Sequence, residues 1–450
     1  MGHKNGRIQL FTGLSLLAIG GLFVYLMYFK DLIKLNDTDV KGDESIDCNI
    51  LKPQIAHIIG NSTLERKWLL VGDNLSEEYT NLVVTSNLED KSYEAKALED
   101  IVFEIVGSDI SGELTYNEEQ KNLVLKRNIE DLKPGVYSVK ISSNSKYCSV
   151  PEQKELTFNV SSPVYVAWSM DWEGFDVEQK YLDSITNISK KYGMPVTHFF
   201  NPYIYLNLSK TRSAYLTEWV KNRMQLEDSV GLHLHMDNKL VEAAGVKAQD
   251  SLAWGGWYKY GHDVPNTVYG YSDFEKIIMW SKAQFKANNL PIPTMYRGGA
   301  WFVDEENLRV LNDLGFVLDS SGRQKYIWGD NKVEGPWDLK STTQPYKLNE
   351  MNQNITTNPT MQLWEVPNNG ADSWSYSAEQ MLRYFKDNYS GGISQNTKVV
   401  TYLSHPHWFN VDEPKMISLF KSLSKYSAVS DDGPVLYVTL DKLPLLGDNN

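Results

Sequence analysis

Two carboxylates separated by one tryptophan, Asp171 and Glu173, end an alternating apolar stretch that reads VYVAWSMDWE over residues 164–173. The apolar part is typical of a buried strand, and side chains two positions apart on a strand point to the same side. Asp171 and Glu173 are therefore expected to face one way at the strand end. Carboxylates placed so can act as a general base, bind a metal ion, or cleave a glycosidic bond as a pair.

A second apolar segment, SVGLHLHMD, places His233 and His235 two positions apart, with Asp237 next in the same direction. Imidazole nitrogens and carboxylate oxygens are ligands that zinc accepts, and a catalytic zinc site keeps one position open for water. An acidic strand end followed by a His-x-His strand therefore predicts a divalent-metal site, with zinc as the expected ion.

Further polar side chains follow apolar segments later in the chain. They are Arg297 in TMYRGG, Glu365 in LWEVPNNG, and His405 and His407 in VVTYLSHPHW. A histidine whose pKa is near neutral can protonate a leaving group, which is the role expected of His405. The permanent charge of Arg297 would keep Asp171 ionised and oriented.

From residue 163 onward, strand-like segments alternate with amphipathic helical segments, which predicts an α/β domain. The segment 176–193 is one such helix, with apolar residues on one face and Gly193 at its end. In α/β barrels, functional side chains collect at the carboxyl ends of the strands. A barrel would therefore bring the acids, the histidines and the arginine to one opening.

The order of these segments over 163–445 resembles the NodB-homology polysaccharide deacetylases, carbohydrate esterase family four. The similar segments are Met170-Asp171-Trp172-Glu173, the strand Val196–Phe200, the strand Val230–His233, Arg297, and the late His405. The GLHLH and LDSS segments are similar to the lipopolysaccharide-biosynthesis subset of these enzymes. The resemblance implies a distorted (β/α) barrel that uses a divalent metal to remove acetyl groups from sugars.

The resemblance also implies roles for individual residues. Asp171 would be the base, Arg297 its orienting partner and His405 the general acid. Glu173, His233 and His235 would bind the metal, with Asp237 as an alternative ligand. Two departures from the family stand out: Trp172 occupies the place of a second aspartate, and the histidines are two apart instead of four. Because aromatic faces pack on sugars, Trp172, Trp301 and Trp408 are the candidate substrate-binding residues.

The N-terminal segment Ile8–Phe29 is uncharged and long enough, at roughly 33 Å as a helix, to cross a bilayer. No small-residue cleavage pattern follows it, which predicts a retained anchor. Lys4 and Arg7 precede it, so the N-terminus is expected in the cytoplasm and the rest of the chain outside, on a single-pass protein of the cell membrane. Residues 1–30 form the predicted stub and anchor, and 31–45 a linker.

Residues 46–161 read as short strands separated by polar turns, which predicts a small all-β sandwich before the barrel. Its acids and lysines are scattered, so we expect a spacer or binding module. Cys48 and Cys148 flank this segment, and an oxidising compartment would allow them to form a disulfide. Two buried free thiols are the alternative.

A formal net charge of −13 and a pI near 5.2 argue against nucleic acid as a partner. The predicted partner is an acetylated polysaccharide; the oligomeric state has no sequence signal. The favoured function is a metal-dependent hydrolase of amide bonds, an N-deacetylase of a cell-surface or cell-wall polysaccharide. The alternatives are a carbohydrate-binding pseudoenzyme, suggested by Trp172, and a glycosidase that pairs Asp171 with Glu173 or Glu365. A glycosidase leaves His233, His235 and His405 unexplained.

Overall fold

The structure of the chain is a computed structural model that describes residues 47–88, 93, 97, 101–117, 122–144, 148–250 and 264–446. The chain divides into two units, Met1–Leu51 and Lys52–Asn450. The predicted anchor, Ile8–Phe29, and the predicted linker, 31–45, lie outside the described residues. None of the helices in the described part has both the length and the apolar character needed to span a membrane.

Alternating apolar residues form two sheets in the N-terminal part of the chain. The elements are α1 Cys48–Gly60, β1 Ser62–Leu64, β2 Trp68–Leu70, α2 Glu77–Thr80, β3 Asn81–Asn87, β4 Ile101–Ile105, β5 Ser111–Glu113, β6 Thr115–Asn117, β7 Asn122–Asn128, β8 Gly135–Ser143 and β9 Gln153–Ser161. One sheet has the order β1-β3-β7-β6 and the other β2-β9-β8-β4-β5. In β7, Leu123 and Leu125 are buried while their neighbours are more exposed, as a sheet with one core face requires. Both cysteines are disulfide-bonded.

Helices cover the second part of the chain. They are α3 Gln179–Tyr192, α4 Ile204–Asn207, α5 Lys210–Met224, α6 Asn238–Ala243, α7 Tyr271–Ala287, α8 Glu305–Asp313, α9 Ala378–Asn388 and α10 Phe409–Leu423, with short 3-10 turns at Asn266–Val268, Gly299–Trp301, Ser424–Tyr426, Leu440–Lys442 and Pro444–Leu446. The predicted helix 176–193 is observed as α3. Leu182, Ile185 and Ile188 are buried, and Gly193 ends the helix with φ 61°, donating its N–H to the Ser189 carbonyl.

A mainly parallel sheet forms the centre of this part. Its strands are β10 Val164–Asp171, β11 Val196–Phe200, β12 Ser229–Leu234, β13 Met295–Gly298, β14 Leu318–Asp319, β17 Tyr346–Lys347, β18 Trp364–Glu365, β19 Lys398–Ser404 and β20 Val435–Tyr437; β15 Ile327–Trp328 and β16 Val333–Glu334 pair separately. The order is β17-β18-β14-β13-β12-β11-β10-β19, with β20 also on β10. Every residue of β10 is buried, as expected for a parallel strand covered on both faces.

Residues 369–373 follow β18, which lies near one end of the strand order, and they form hydrogen bonds with β19 at the other end. Gly370 N–H donates to the Thr401 carbonyl of β19 over 3.0 Å, and Ser373 N–H donates to the Leu403 carbonyl over 2.9 Å. Because β19 also pairs with β10, the parallel strands form a curled circuit. The mixed α/β architecture predicted from alternating segments is confirmed, and the carboxyl ends of the strands surround one opening.

Candidate active site

The carboxyl ends of the parallel strands surround a cavity of about 890 Å³. Its wall consists of Asp171, Glu173, Phe175, His233, His235, Asp237, Ala300, Trp301, Trp328, Gly329, Asp330, Asp372, Trp374, Ser375, His405, His407 and Trp408. Trp172 N–H donates to the Phe199 carbonyl beyond the last residue of β10, so the chain continues in the direction of the strand. Asp171 and Glu173 consequently face the cavity together.

Glu173, His233 and His235 form a compact group in which one ligand atom of each lies within 4.8 Å of the others. Glu173 Oε2 is 2.6 Å from His235 Nε2 and 3.4 Å from His233 Nε2. Burial raises the pKa of Glu173, but the two histidines lower it by more, so this pKa lies well below its ordinary value. Asp237, the alternative ligand, lines the cavity but is outside this group.

The hydrogen bonding of His233 tests whether the group fits a metal. Its Nδ1 lies 2.9 Å from the Arg297 carbonyl, which can only accept, so Nδ1 carries the proton. In the neutral ring, Nε2 then has the lone pair; it is buried and makes no hydrogen bond. A lone pair facing the Glu173 carboxylate is unfavourable unless a cation lies between them. Two imidazoles and a carboxylate therefore suit a divalent metal ion.

The backbone that follows β13 passes close to the His235 ring and limits its orientation. A Cβ atom on Gly299 would lie 2.7 Å from Nδ1 of His235, closer than side-chain atoms approach one another. Glycine at this position lets the chain pass against the imidazole ring. The two residues that follow, Ala300 and Trp301, have positive φ values of 48° and 61°, a strained conformation for residues other than glycine. Trp301 lies at the cavity wall in this conformation, and its carbonyl accepts a hydrogen bond from Trp337 Nε1 over 2.9 Å.

Asp171 is paired with Arg297, which is fully buried. Nη1 of Arg297 donates to Asp171 Oδ1 over 2.9 Å and to the Ser169 hydroxyl over 2.7 Å. Nη2 donates to the Ser320 hydroxyl and Nε to the Ser320 carbonyl, both over 2.8 Å. The guanidinium is thus fixed on several sides, and it holds one carboxylate oxygen of Asp171 in place.

His405 lies across the cavity from this pair, at the tip of β19. Its Nε2 is 3.5 Å from Glu173 Oε1, and its Nδ1 is 3.6 Å from Asp412 Oδ2. The second distance is too long for a hydrogen bond, so the contact is electrostatic. Asp412 Oδ2 also accepts the backbone N–H of His405 over 2.8 Å. Burial lowers the pKa of His405, but Asp412 and Glu173 outweigh it and raise this pKa above its ordinary value.

Trp172 does not reach the cavity, which corrects its prediction as a substrate-binding residue. The side chain is 1% exposed and belongs to the hydrophobic core. It points to the side of the strand opposite Asp171 and Glu173, because side chains alternate. Its Nε1 donates to His198 Nδ1 over 3.2 Å. A ring buried in this way has no face available to a sugar.

Trp301 and Trp408 both line the cavity, together with two tryptophans that sequence reasoning missed. Trp328 lies 6.0 Å from Trp301 between ring centres, and Trp374 lies 4.9 Å from Trp408. Trp374 is 47% exposed, so its ring is open to solvent at the cavity. Two pairs of aromatic rings thus contribute to the wall.

Glu365, the alternative carboxylate of the glycosidase hypothesis, does not line the cavity. It is fully buried and lies opposite Asp319 in the register of β14 and β18. Burial, together with the charge of Asp319, raises the pKa of Glu365 well above its ordinary value. A carboxyl group in this position cannot pair with Asp171 on a substrate.

Several residues of the site have no clear signal in the sequence. Asp412 lies seven positions after His405, in the first turn of α10, where an acid is common for helix-capping reasons alone. Ser169 and Ser320 hold Arg297 but are ordinary small residues of strand segments. Asp372 and Trp374 belong to the run ADSW after β18, and their position directly after an apolar strand was the available signal.

No protein-family model matches the chain, and no curated protein matches it. Among solved structures, it is similar to a Mycobacterium smegmatis protein assigned as a polysaccharide deacetylase, with a TM-score of 0.39, 13% identity, and coverage of 65% of this chain and 90% of that one. A family 4 carbohydrate esterase from Streptomyces lividans has a TM-score of 0.32 and 12% identity, with coverage of 60% and 90%. For the chitin deacetylase of Colletotrichum lindemuthianum the values are 0.33 and 12%, with coverage of 61% and 85%. Similarities this low decide neither the family nor the activity of the chain.

Proposed function

We propose that this chain is a metal-dependent N-deacetylase of an acetylated cell-surface or cell-wall polysaccharide. The observation that carries the proposal is the Glu173, His233 and His235 group, in one cavity with the Asp171–Arg297 pair and His405. This set contains ligands for a metal, a candidate base and a candidate acid, which are the groups that hydrolysis of an amide requires. Zinc is the expected ion because it accepts two imidazoles and a carboxylate.

The proposed roles follow from the geometry. A divalent ion held by Glu173, His233 and His235 would supply Lewis-acid chemistry, polarising the acetyl carbonyl and acidifying the attacking water. Asp171 accepts the proton of that water on its carboxylate, and Arg297 holds the carboxylate in its orientation toward the cavity. His405 donates a proton to the amine nitrogen as the carbon–nitrogen bond breaks, so that acetate and a free amine leave.

The electrostatic environment of His405 supports its role as an acid. Its pKa is raised, so a larger fraction of the imidazole is protonated near neutral pH than in water. Asp412 lies on the Nδ1 side of the ring, which leaves Nε2 toward the cavity. Asp412 thus favours the protonated form of the imidazole that is proposed as the acid.

We also propose that the predicted segments have separate duties. Residues 1–30 would anchor the chain in the cell membrane, 31–45 would link the anchor to 46–161, and 163–445 would carry the chemistry. The flanking charges Lys4 and Arg7 support an extracytoplasmic position for everything after the anchor. A polysaccharide outside the membrane would be accessible to such a protein.

The test is release of acetate from an N-acetylglucosamine oligomer, measured beside the metal content of the purified protein. Wild type should bind about one zinc and release acetate, whereas His233→Ala should lose both, because an incomplete ligand set binds zinc poorly. Glu173→Gln should weaken zinc binding, and excess zinc should restore part of the activity. Asp183→Asn, on the surface of α3, is the control and should match wild type in both measurements.

Each failure has its own meaning. If the wild-type protein binds the oligomer but does not bind zinc and does not release acetate, it is a carbohydrate-binding pseudoenzyme. Hydrolysis of glycosidic bonds without zinc would indicate a glycosidase. Full activity and full zinc content in His233→Ala would overturn the assignment of the metal group.

A further inference from the structure

Three carboxylates besides Asp171 and Glu173 line the cavity: Asp237, Asp330 and Asp372. They are not part of the three-residue metal group. Among the described residues of the cavity wall there is neither lysine nor arginine. Asp237, Asp330 and Asp372 are acidic side chains on the wall itself, whereas Lys415 lies beside the wall and donates to the Ser373 and Trp374 carbonyls. The acidic side chains would repel a substrate that carries carboxylates of its own.

Asp372 is the best placed of the three to contact a ligand. It lies in the segment beside β19 and is 1% exposed, although it lines the cavity. Its Oδ1 accepts the Ser375 N–H over 2.7 Å, whereas its Oδ2 is buried and makes no hydrogen bond. A buried carboxylate oxygen without a hydrogen bond is costly in a folded protein unless a ligand or water satisfies it.

Arg323 is the basic residue near Asp372 Oδ2, but it does not reach hydrogen-bonding distance. Nη1 of Arg323 lies 3.9 Å from Asp372 Oδ2, too far for a hydrogen bond. The Arg323 guanidinium stacks on the Trp301 ring at 4.0 Å and on the Tyr326 ring at 4.6 Å, which fixes it there. Arg323 offsets part of the charge of Asp372, but it leaves Oδ2 able to accept from a donor in the cavity.

The size of the cavity and its aromatic residues leave room for more than the reacting acetyl group. A volume of about 890 Å³ is near the upper end for ligand pockets. Trp374, beside Trp408, is open to solvent two positions after Asp372. An aromatic face and a carboxylate side by side suit a sugar ring that carries a hydrogen-bond donor or a positive charge.

We propose that this cavity selects its glycan by charge, and that Asp372 binds the ammonium group of an amino sugar already deacetylated, next to the unit being hydrolysed. The inference rests on the proposed deacetylase function. Removal of an acetyl group converts a neutral amide into a basic amine, which is protonated in slightly acidic solution and which a neighbouring carboxylate favours in its ammonium form. A partly deacetylated chain is therefore a cation, and it should bind better than a fully acetylated chain. A chain with carboxylate substituents should bind least.

The experiment compares three matched substrates with one backbone: partly deacetylated chitin oligomers, neutral glycol chitin, and carboxymethyl chitin. We expect kcat/KM per acetyl group to fall in that order. The differences should shrink between about 0.05 M and about 0.5 M salt, because salt screens charge interactions. An equal kcat/KM for glycol chitin and carboxymethyl chitin at low salt would overturn the inference while leaving the deacetylase function intact.

Substitutions test whether the acidic residues of the cavity wall cause the preference for cationic glycans. Asp372→Asn keeps the shape of the side chain and should reduce the preference for the cationic over the anionic substrate by about 10-fold. Asp330→Asn changes an exposed residue and should reduce the same preference by about 2-fold. This second variant keeps the test decisive if Asp372→Asn folds poorly. Glu350→Gln, an exposed acid outside the cavity, changes the net charge equally and should leave the preference unchanged. An unchanged preference in both cavity variants would overturn the inference.

Binding separates this inference from the proposed function. The three glycans can be titrated against the zinc-loaded protein with tryptophan fluorescence as the signal. If no glycan releases acetate but binding still follows the order cationic, neutral, anionic, the deacetylase function fails and the charge selection stands. If binding is independent of glycan charge, the charge selection fails whatever the activity.

Discussion

Asp171 and Glu173 lie two positions apart and face one cavity, yet their neighbours give them different environments. A buried arginine donates to Asp171, and two histidines surround Glu173. The arginine orients a carboxylate without occupying its second oxygen, which suits a base. The histidines provide nitrogen ligands beside a carboxylate, which suits a metal site. One strand end can therefore carry two chemical roles.

Asp171→Asn is the substitution that separates these roles. The amide keeps the size of the carboxylate and can still accept from Arg297, but it cannot take a proton from water. We expect acetate release to fall by about two to four orders of magnitude, with zinc still bound. Acetate release and zinc content should be measured on one preparation, with Asp183→Asn as the matched control. Release at the wild-type rate would remove Asp171 from the mechanism.

At the scale of elements, a buried polar network lies on the far side of the strand that carries the two acids. Trp172 donates to His198 Nδ1, and His198 Nε2 lies 2.9 Å from Asp228 Oδ2. Arg223 of α5 contacts both oxygens of Asp228, over 2.7 and 3.0 Å. Because Trp172 sits between Asp171 and Glu173, this network ties their strand end to β11 and α5.

The protonation of His198 gives this network a pH dependence. Burial lowers the pKa of His198, although Asp228 opposes the change. The unfolded chain therefore takes up a proton below about pH 6.5 that the folded chain does not. The free energy of unfolding should be at its full value above that pH and should decrease as the pH falls below it.

His198→Gln tests this expectation, because glutamine can accept from Trp172 and donate to Asp228 but does not titrate. Thermal unfolding of metal-free protein should be followed at about pH 7.5 and about pH 5.5. Wild type should lose more in Tm than the variant across this interval, by roughly 2–4 °C for each kcal/mol of linkage. An equal loss in both proteins would show that His198 does not contribute to the acid dependence.

At the scale of the whole molecule, the membrane topology proposed from the N-terminal charges is open to a direct test. Protease added to intact cells should digest the chain beyond residue 30, because the proposed topology puts that part outside the cell membrane. Immunoblotting with an antibody to residues 163–445 follows the digestion, and a cytoplasmic protein serves as the control for intact membranes. Complete protection in intact cells, with cleavage after lysis, would contradict the topology.

Local patterns in the sequence were enough for much of the architecture. Apolar runs and their periods indicated the strands of the parallel sheet and helix α3, because positions that are buried on one or both faces of an element are occupied by apolar residues. Asp171, Glu173, His233, His235 and His405 were recognisable because each follows such a run. The carboxyl ends of parallel strands lie at the same edge of a sheet. The order of the segments along the chain therefore already predicted that these side chains meet.

The neighbours of these residues depend on how the chain packs in three dimensions. Trp172 was assigned to the substrate from its type and place, but strand alternation and the packing of His198 beneath it put the ring in the core. Asp412 lies only seven positions after His405, but the turn into α10 that brings the two together has no clear signal in the sequence. The oxygen of Asp372 that makes no hydrogen bond lies in a cavity wall built from several strand ends. The core around Trp172 and the cavity around Asp372 join segments far apart in the chain, and the residues next to each position in the sequence do not specify those partners, because packing brings them together only in three dimensions.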